Sequence, residues 1–105
     1  MPKETALPLN TFFTWQSVSP GQLCGTTAIV IDVLRATTSI NAALQNGAKA
    51  LIPCMSPEEA KEHKNREQAA LLCGEENGRS IAGFDLGNSP FEYKTESIQG
   101  KILAL

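Results

Sequence analysis

The side chains best suited to chemistry follow an apolar run that ends at Asp32. Arg35 comes three residues later, and three hydroxyl side chains come next: Thr37, Thr38 and Ser39. A carboxylate can hold a hard cation, and an arginine beside free amides at a helix N-terminus can hold an anion. Phosphate chemistry uses both. The same pattern also fits a purely structural alternative, an Asp32–Arg35 ion pair beside an ordinary helix cap.

A second polar stretch covers residues 73–90 and is rich in glycine. Glu75, Asp85 and Asn88 carry side-chain oxygens of the kind that Mg²⁺ prefers, and the glycines allow tight turns or a close approach to a ligand. The alternative is a surface loop in which the glycines only turn the chain. Carboxylates and an amide in such a loop make a metal or phosphate site one interpretation of the stretch.

Cys73 and Arg79 offer a different chemistry, because five residues separate them and Ser80 follows. This spacing matches the phosphate loop of cysteine-dependent phosphatases, in which a thiolate attacks the phosphoryl group. Glu75 and Glu76 lie inside that loop, where they would repel phosphate and raise the pKa of the thiol. The pattern therefore stays a weaker alternative.

Alternating strands and helices are expected to position these side chains. Strands are predicted at residues 9–15, 26–34, 48–53, 69–73 and 101–105. Helices are predicted at 38–46, from the capping box that begins at Ser56 through residue 68, and from the capping box that begins at Ser89 to residue 97. The alternation predicts an α/β fold, a three-layer α/β/α arrangement with a largely parallel sheet. Ligands of such sheets bind beyond the carboxyl ends of the strands, where both polar stretches lie.

Composition restricts the class of protein. The 105 residues include nine basic and eleven acidic side chains, a net charge of -2, so no broad electrostatic footprint for nucleic acid is expected. No apolar segment approaches the roughly 20 residues that span a bilayer, so a cytoplasmic protein without a membrane partner is expected. Three cysteines without metal-ligand spacing favour reduced thiols.

Three segments resemble the 2-phosphosulfolactate phosphatase family, in that family's order and spacing. They are IVIDVLRATTSINAALQNGA at residues 29–48, the Gly74–Glu75 pair, and GFDLGNSPFEY at residues 83–93. The resemblance implies a Mg²⁺-dependent phosphomonoester hydrolase that converts 2-phosphosulfolactate into sulfolactate and phosphate in coenzyme M biosynthesis. Its substrate is a small phosphorylated sulfocarboxylic acid, and whether the protein forms a homo-oligomer is left open.

The resemblance covers only the N-terminal half of the family, so residues 1–105 are expected to be either a single α/β domain or the N-terminal part of a phosphatase that continues beyond Leu105. Family members are roughly twice as long, and their threonine-rich segment TTTNGT is not found here. They commonly carry Gly-Glu-Arg where this chain has Gly74-Glu75-Glu76, and Arg79 is a candidate to replace that arginine. A final strand at residues 101–105 with an open apolar edge would favour another function, an inactive binding fragment completed by a partner chain.

Together the motifs predict a site at one edge of the sheet. Asp32 with Glu75 or Asp85 is expected to hold Mg²⁺, and the ion would polarise the phosphoryl group. Arg35, Asn88 and the amides and hydroxyls of residues 37–39 are expected to bind the phosphate. The attacking group is either water on the metal or a carboxylate, and Asp32 is the candidate for covalent attack.

Overall fold

The computed structural model describes residues 6–67 and 70–105. Its helices are α1 (Ala36–Gln45), α2 (Pro57–Arg66) and α3 (Thr95–Ile98), with single 3₁₀ turns at Trp15–Ser17 and Pro90–Glu92. Its strands are β1 (Ala50–Ile52), β2 (Ala70–Leu72), β3 (Glu75–Glu76), β4 (Arg79–Ser80) and β5 (Ile102–Ala104). Residue 68, at the predicted end of the second helix, and residue 69, at the predicted start of a strand, lie outside the described residues.

The main sheet has three parallel strands in the order β1-β5-β2. Leu103 of β5 lies level with Leu51 of β1 and Leu71 of β2, which sets the register. The last strand is therefore paired on both sides, and the prediction that it offers an open edge is wrong.

Helices cover both faces of this sheet. Consecutive residues of a strand point to opposite sides, so Leu103 and Ala104 of β5 lie on different faces. On one face, Leu103 packs with residues of α1, α3 and the segment before α3: Ala43, Ile98 and Tyr93. On the other face, Ala104 and Leu72 pack with Ala60 of α2. The three-layer α/β/α architecture with a parallel sheet is confirmed.

The start of α2 follows from its sequence. Ser56 has an extended backbone, and its hydroxyl accepts a hydrogen bond from the Glu59 amide at 3.2 Å. Pro57 occupies the first helical position, where its missing N–H costs nothing. The predicted N-cap at Ser56 is confirmed, but the capping box is wrong in detail, because the Glu59 carboxylate accepts from the Met55 amide at 2.6 Å and not from the Ser56 amide.

Two predicted strands, at residues 9–15 and 26–34, are wrong. Both segments run without strand pairing, and Ile29, Val30 and Ile31 are each at least 78% exposed. The Cα radius of gyration, 16.7 Å, exceeds the roughly 13 Å of a compact domain of this size. An apolar run becomes a strand only when a neighbouring edge pairs with it, and neither segment pairs with the free edges of β1 or β2 among the described residues.

The helix predicted at residues 89–97 is also wrong in detail. A 3₁₀ turn at Pro90–Glu92 and the short α3 replace it, with Tyr93 and Lys94 non-helical between them. This break matters because it places the Glu92 and Tyr93 side chains against the preceding loop.

Candidate active site

The loop at residues 87–89 is held by the 3₁₀ turn that follows it. Glu92 accepts hydrogen bonds from the amides of Gly87 at 3.0 Å and Ser89 at 3.1 Å, so the second capping box is present. The buried Tyr93 hydroxyl donates to the Gly87 carbonyl at 2.6 Å. Together these bonds fix the main chain at Gly87 and at Ser89, so the backbone of Asn88 between them is held in place.

Asn88 joins this loop to two other elements. Its carbonyl accepts a 2.5 Å hydrogen bond from the fully buried Ser39 hydroxyl of α1. Its side-chain Nδ2 donates to Glu75 Oε1 at 3.1 Å. Asn88 is only 8% exposed, and its Oδ1 is buried without a hydrogen-bond partner among the described residues. A buried acceptor without a donor is costly and therefore marks a place where a ligand can add a bond.

Arg35 completes the cluster by donating from Nη2 to Glu75 Oε2 at 2.5 Å. The hydrogen bond from Arg35, helped by that from Asn88, lowers the pKa of Glu75. The same bond raises the pKa of Arg35. The structural alternative of an Asp32–Arg35 ion pair is wrong, because Arg35 pairs with a residue 40 positions away.

A β-hairpin carries Glu75 to this position. Residues 77 and 78 turn the chain with φ values of +52° and +73°, and β3 pairs with β4 so that Glu75 faces Ser80. Two positive φ values at Asn-Gly are typical of the type I′ turn that suits tight hairpins. This local signal was not recognised in the sequence, where residues 73–90 were interpreted as a glycine-rich polar stretch or a surface loop.

The hydroxyls after Asp32 bind main-chain atoms in this structure. Thr37 Oγ1 accepts from the Asp32 amide at 3.1 Å, and Thr38 donates to the Val33 carbonyl at 2.6 Å. These bonds hold the segment that delivers Arg35 to the start of α1. The prediction that residues 37–39 bind phosphate stays a prediction.

The three acids predicted to hold a metal ion lie in different surroundings. Glu75 belongs to the Arg35–Asn88 cluster, and Asp32 is exposed before α1. Asp85 is bound to the Lys64 ammonium at 2.7 Å and the Leu72 amide at 2.8 Å, so it joins α2 to β2. Within residues 6–67 and 70–105, no three His, Cys, Asp or Glu side chains form a group that could hold a metal.

A site with fewer protein ligands does fit these residues. Mg²⁺ commonly keeps several waters and uses one or two carboxylates together with substrate phosphate. Glu75 supplies a carboxylate, and Asn88, whose Nδ2 binds that carboxylate, carries an unpartnered Oδ1 that a turn of the amide would bring toward it as a neutral oxygen donor. Glu75 and Asn88 are therefore the residues of this cluster that could hold the ion.

Replacement of Asp85 by asparagine is expected to cost about 1 kcal/mol at neutral pH, since its carboxylate is more than a third exposed and partly screened. Burial opposes ionisation of Asp85, but the bonds from Lys64 and the Leu72 amide outweigh it and lower the pKa. A lowered pKa contributes stability above the unfolded value of about 4, and the contribution disappears as the pH falls through the folded value. Urea unfolding of both proteins at about pH 7 and about pH 2.5 should show the difference shrinking in acid.

Glu62→Gln is the matched control for Asp85. Its 3.7 Å pair with Arg66 is an exposed contact within α2, for which a difference near zero is expected at both pH values. A loss at Asp85 that stays the same size in acid would contradict the ion-pair explanation.

Cys73 lacks the surroundings of a nucleophile. It is 1% exposed, and burial raises the pKa of its thiol to about 12. Arg79 belongs to the hairpin and lies opposite Glu76, so the five residues after Cys73 do not form a phosphate loop. The alternative of a cysteine-dependent phosphatase using Cys73 and Arg79 is wrong.

Iodoacetamide is expected to modify the exposed Cys24 of the folded protein and to leave Cys73 unmodified, because alkylation requires an accessible thiolate. Mass spectrometry of the peptides would measure the two rates. Unfolding in urea should bring both thiols to similar rates, and equal rates in the folded protein would contradict the burial of Cys73.

A cleft lies beyond the carboxyl ends of the three parallel strands. Its lining includes Cys54 after β1, Glu75 after β2 and Leu105 after β5, with Ser56 at the start of α2. Glu75 therefore faces both the cleft and the Arg35–Asn88 cluster. Parallel α/β sheets bind ligands at this edge, as the sequence analysis expected.

Fold and cluster together define an α/β protein with a charged site at the carboxyl edge of its sheet. The sequence model of the family described as 2-phosphosulpholactate phosphatase matches residues 12–105, and the chain belongs to this family.

Relatives in this family are substantially similar to the chain. The probable 2-phosphosulfolactate phosphatase of Thermotoga petrophila is 54% identical over 79 residues, which cover 75% of this chain and 34% of the relative. That of Caldanaerobacter subterraneus is 46% identical over 97 residues, which cover 90% of this chain and 40% of the relative. The chain thus spans little more than a third of the length of these curated relatives.

Across residues 6–67 and 70–105, the structure contains no helix with the length and apolar character that a membrane crossing requires.

Proposed function

We propose that this chain forms part of a Mg²⁺-dependent phosphomonoester hydrolase that converts 2-phosphosulfolactate and water into sulfolactate and phosphate. A cytoplasmic place in coenzyme M biosynthesis belongs to the same proposal. The observation that carries it is the Arg35–Glu75–Asn88 cluster at the carboxyl edge of the sheet. Family membership and the names of the relatives support the choice of substrate.

Arg35 is the group proposed to bind the phosphoryl oxygens. Its side chain is 40% exposed, so a ligand can reach it, and the planar fork of guanidinium donors matches two oxygens of a phosphate. A fixed positive charge at this point would stabilise the charge that develops on the phosphoryl group in the transition state.

Glu75 and Asn88 are proposed to hold Mg²⁺, and a bound divalent cation supplies polarisation of the phosphoryl group. Asn88 takes the place of Asp85 in this assignment, because the Asp85 carboxylate already binds Lys64 and the Leu72 amide. Asp32, exposed three residues before Arg35, remains the proposed candidate for covalent attack; water is the other proposed nucleophile.

A phosphate-release assay tests this function. The protein translated from the complete reading frame that contains these 105 residues would be given 2-phosphosulfolactate and a panel of phosphomonoesters, with and without Mg²⁺. Release that requires Mg²⁺ and falls strongly in Asp32→Asn supports the reaction and the role of Asp32. No release from any ester would reject the phosphatase function, and full activity of Asp32→Asn would reject its assignment.

A binding fragment completed by a partner chain is the second candidate function. The exposure of Ile29, Val30 and Ile31 favours it, because contiguous exposed apolar side chains often mark an interface. Analytical ultracentrifugation separates the two proposals. Association at micromolar concentration without phosphate release would favour the binding function, whereas a monomer that releases phosphate would reject it.

A further inference from the structure

We propose that Arg35 and a divalent cation compete for the Glu75 carboxylate, so that cation binding at Glu75 and Asn88 releases the Arg35 guanidinium to the phosphoryl group. This inference rests on the proposed function and deepens it. It assigns Arg35 a second role, as the counter-ion that occupies Glu75 while the metal is absent.

The side-chain amide of Asn88 uses its donor but not its acceptor. Nδ2 donates to Glu75, whereas Oδ1 is buried and lacks a partner among the described residues. The backbone of Asn88 is held by other bonds. Its carbonyl accepts from Ser39, and the Glu92 carboxylate, which we call the Glu92 clamp, binds the amides of Gly87 and Ser89 on either side. The main chain of Asn88 is therefore fixed, while its side-chain amide can turn and offer Oδ1 to a cation on the Glu75 carboxylate.

The other acids near this loop are committed elsewhere. Asp85 accepts from Lys64 and the Leu72 amide, and Glu92 accepts from the amides of Gly87 and Ser89. Glu75 instead binds two side chains, Arg35 and Asn88, and one of them is a cation that can be exchanged for another. Of these three acids, Glu75 is the one whose bonds do not hold main-chain atoms.

Electrostatics then links the two ligands. A divalent ion at Glu75 would repel the nearby guanidinium and weaken its ion pair. Arg35 is 40% exposed and lies immediately before α1, so it can turn from Glu75 toward an anion near the helix amides. Cation and phosphate should therefore strengthen each other's binding, and this coupling must be reciprocal.

In this scheme, Arg35→Ala is expected to increase the affinity for the cation, although it removes a residue of the site. Removal of a competitor should tighten cation binding when phosphate is absent, by roughly two- to fivefold, the range of a partly exposed ion pair. It should also remove the effect of phosphate on cation affinity. A guanidinium that only stabilises Glu75 structurally would not produce this combination.

Mn²⁺ titrations followed by electron paramagnetic resonance test the proposal without turnover. Wild type, Arg35→Ala, Glu75→Gln and Asn88→Ala would be titrated with and without inorganic phosphate, with Mg²⁺ added to displace the probe. Arg66→Ala is the matched control, because that arginine is 73% exposed on α2 and its one ion pair among the described residues is with Glu62. Circular dichroism would confirm that each variant keeps its helices.

The expected result is tighter Mn²⁺ binding in Arg35→Ala and binding weaker by about tenfold or more in Glu75→Gln and Asn88→Ala. An Arg35→Ala affinity equal to that of Arg66→Ala, or weaker than wild type, would overturn the competition. Wild-type Mn²⁺ affinity in both Glu75→Gln and Asn88→Ala would reject the assignment of the cation site to these two residues. Phosphate release with no such competition rejects only this inference, whereas competition without any release rejects the phosphatase function.

Discussion

Replacement of Arg35 by alanine is expected to lower Mg²⁺-dependent phosphate release by about 10²- to 10³-fold, the usual effect of removing one donor that stabilises transition-state charge. The guanidinium is the cation of the cluster, and it is bound to Glu75, which lines the cleft beyond the ends of the parallel strands. Because Arg35 is 40% exposed, its loss leaves no buried cavity, so the fold should persist. Steady-state kinetics on 2-phosphosulfolactate would measure kcat and KM.

Two further variants make this result specific. Arg35→Lys should recover only part of the rate, because an ammonium keeps the charge but lacks the planar fork that binds two oxygens. Arg66→Ala should behave as wild type, because it removes an exposed arginine of α2 that pairs only within its own helix. Activity of Arg35→Ala within about twofold of the control would remove Arg35 from the mechanism.

The sequence predicts α1 and α2 well because their signals are local. The Ser56 hydroxyl and the Glu59 amide that it binds are three residues apart, and a proline at the first helical position adds to the same signal. The start of α1 was predicted within two residues of its observed position at Ala36. Bonds that close within one helical turn can be inferred from the order of residues alone.

The strands show the limit of such reasoning. Residues 26–34 have the composition of a buried strand, yet Ile29 and Val30 are more than 80% exposed. Strand formation depends on a partner edge, and that edge is not a property of the segment itself. The short β5, by contrast, is fixed by pairing with β1 and β2, which are distant in sequence.

The candidate site was predicted only in part, because its contacts also join residues that are distant in the sequence. Arg35 and Glu75 were each identified from their type, but the sequence suggested Asp32 as the partner of Arg35 because it is near in the chain. The observed partner is 40 residues away, brought there by an Asn-Gly hairpin that could have been recognised locally. The capping box that contains Glu92 was predicted from the sequence. The second hydrogen bond of Glu92, which it accepts from the Gly87 amide, was not predicted.

Gly87→Ala is expected to destabilise the protein by about 2–4 kcal/mol, through overpacking and the loss of charged hydrogen bonds. A Cβ at this position would lie 2.5 Å from the Ser80 hydroxyl and 2.8 Å from Glu92 Oε2. Ser80 can rotate away, but Glu92 cannot move without releasing the amides of Gly87 and Ser89. The substitution should therefore free the loop that holds Asn88. Urea unfolding would measure the loss of stability, and hydrogen exchange at the Ser89 amide would report the release of the clamp.

Gly83→Ala separates this clash from the ordinary cost of replacing a glycine. Gly83 has open space around its Cβ position but a φ of +80°, so alanine there should cost about 1–2 kcal/mol from backbone strain and leave Ser89 exchange unchanged. The double variant Ser80→Ala, Gly87→Ala removes the shorter contact and should recover only part of the stability, because the contact with Glu92 remains. Full recovery would assign the effect to Ser80 alone, and slow Ser89 exchange in Gly87→Ala would show that Glu92 still holds the loop around Asn88.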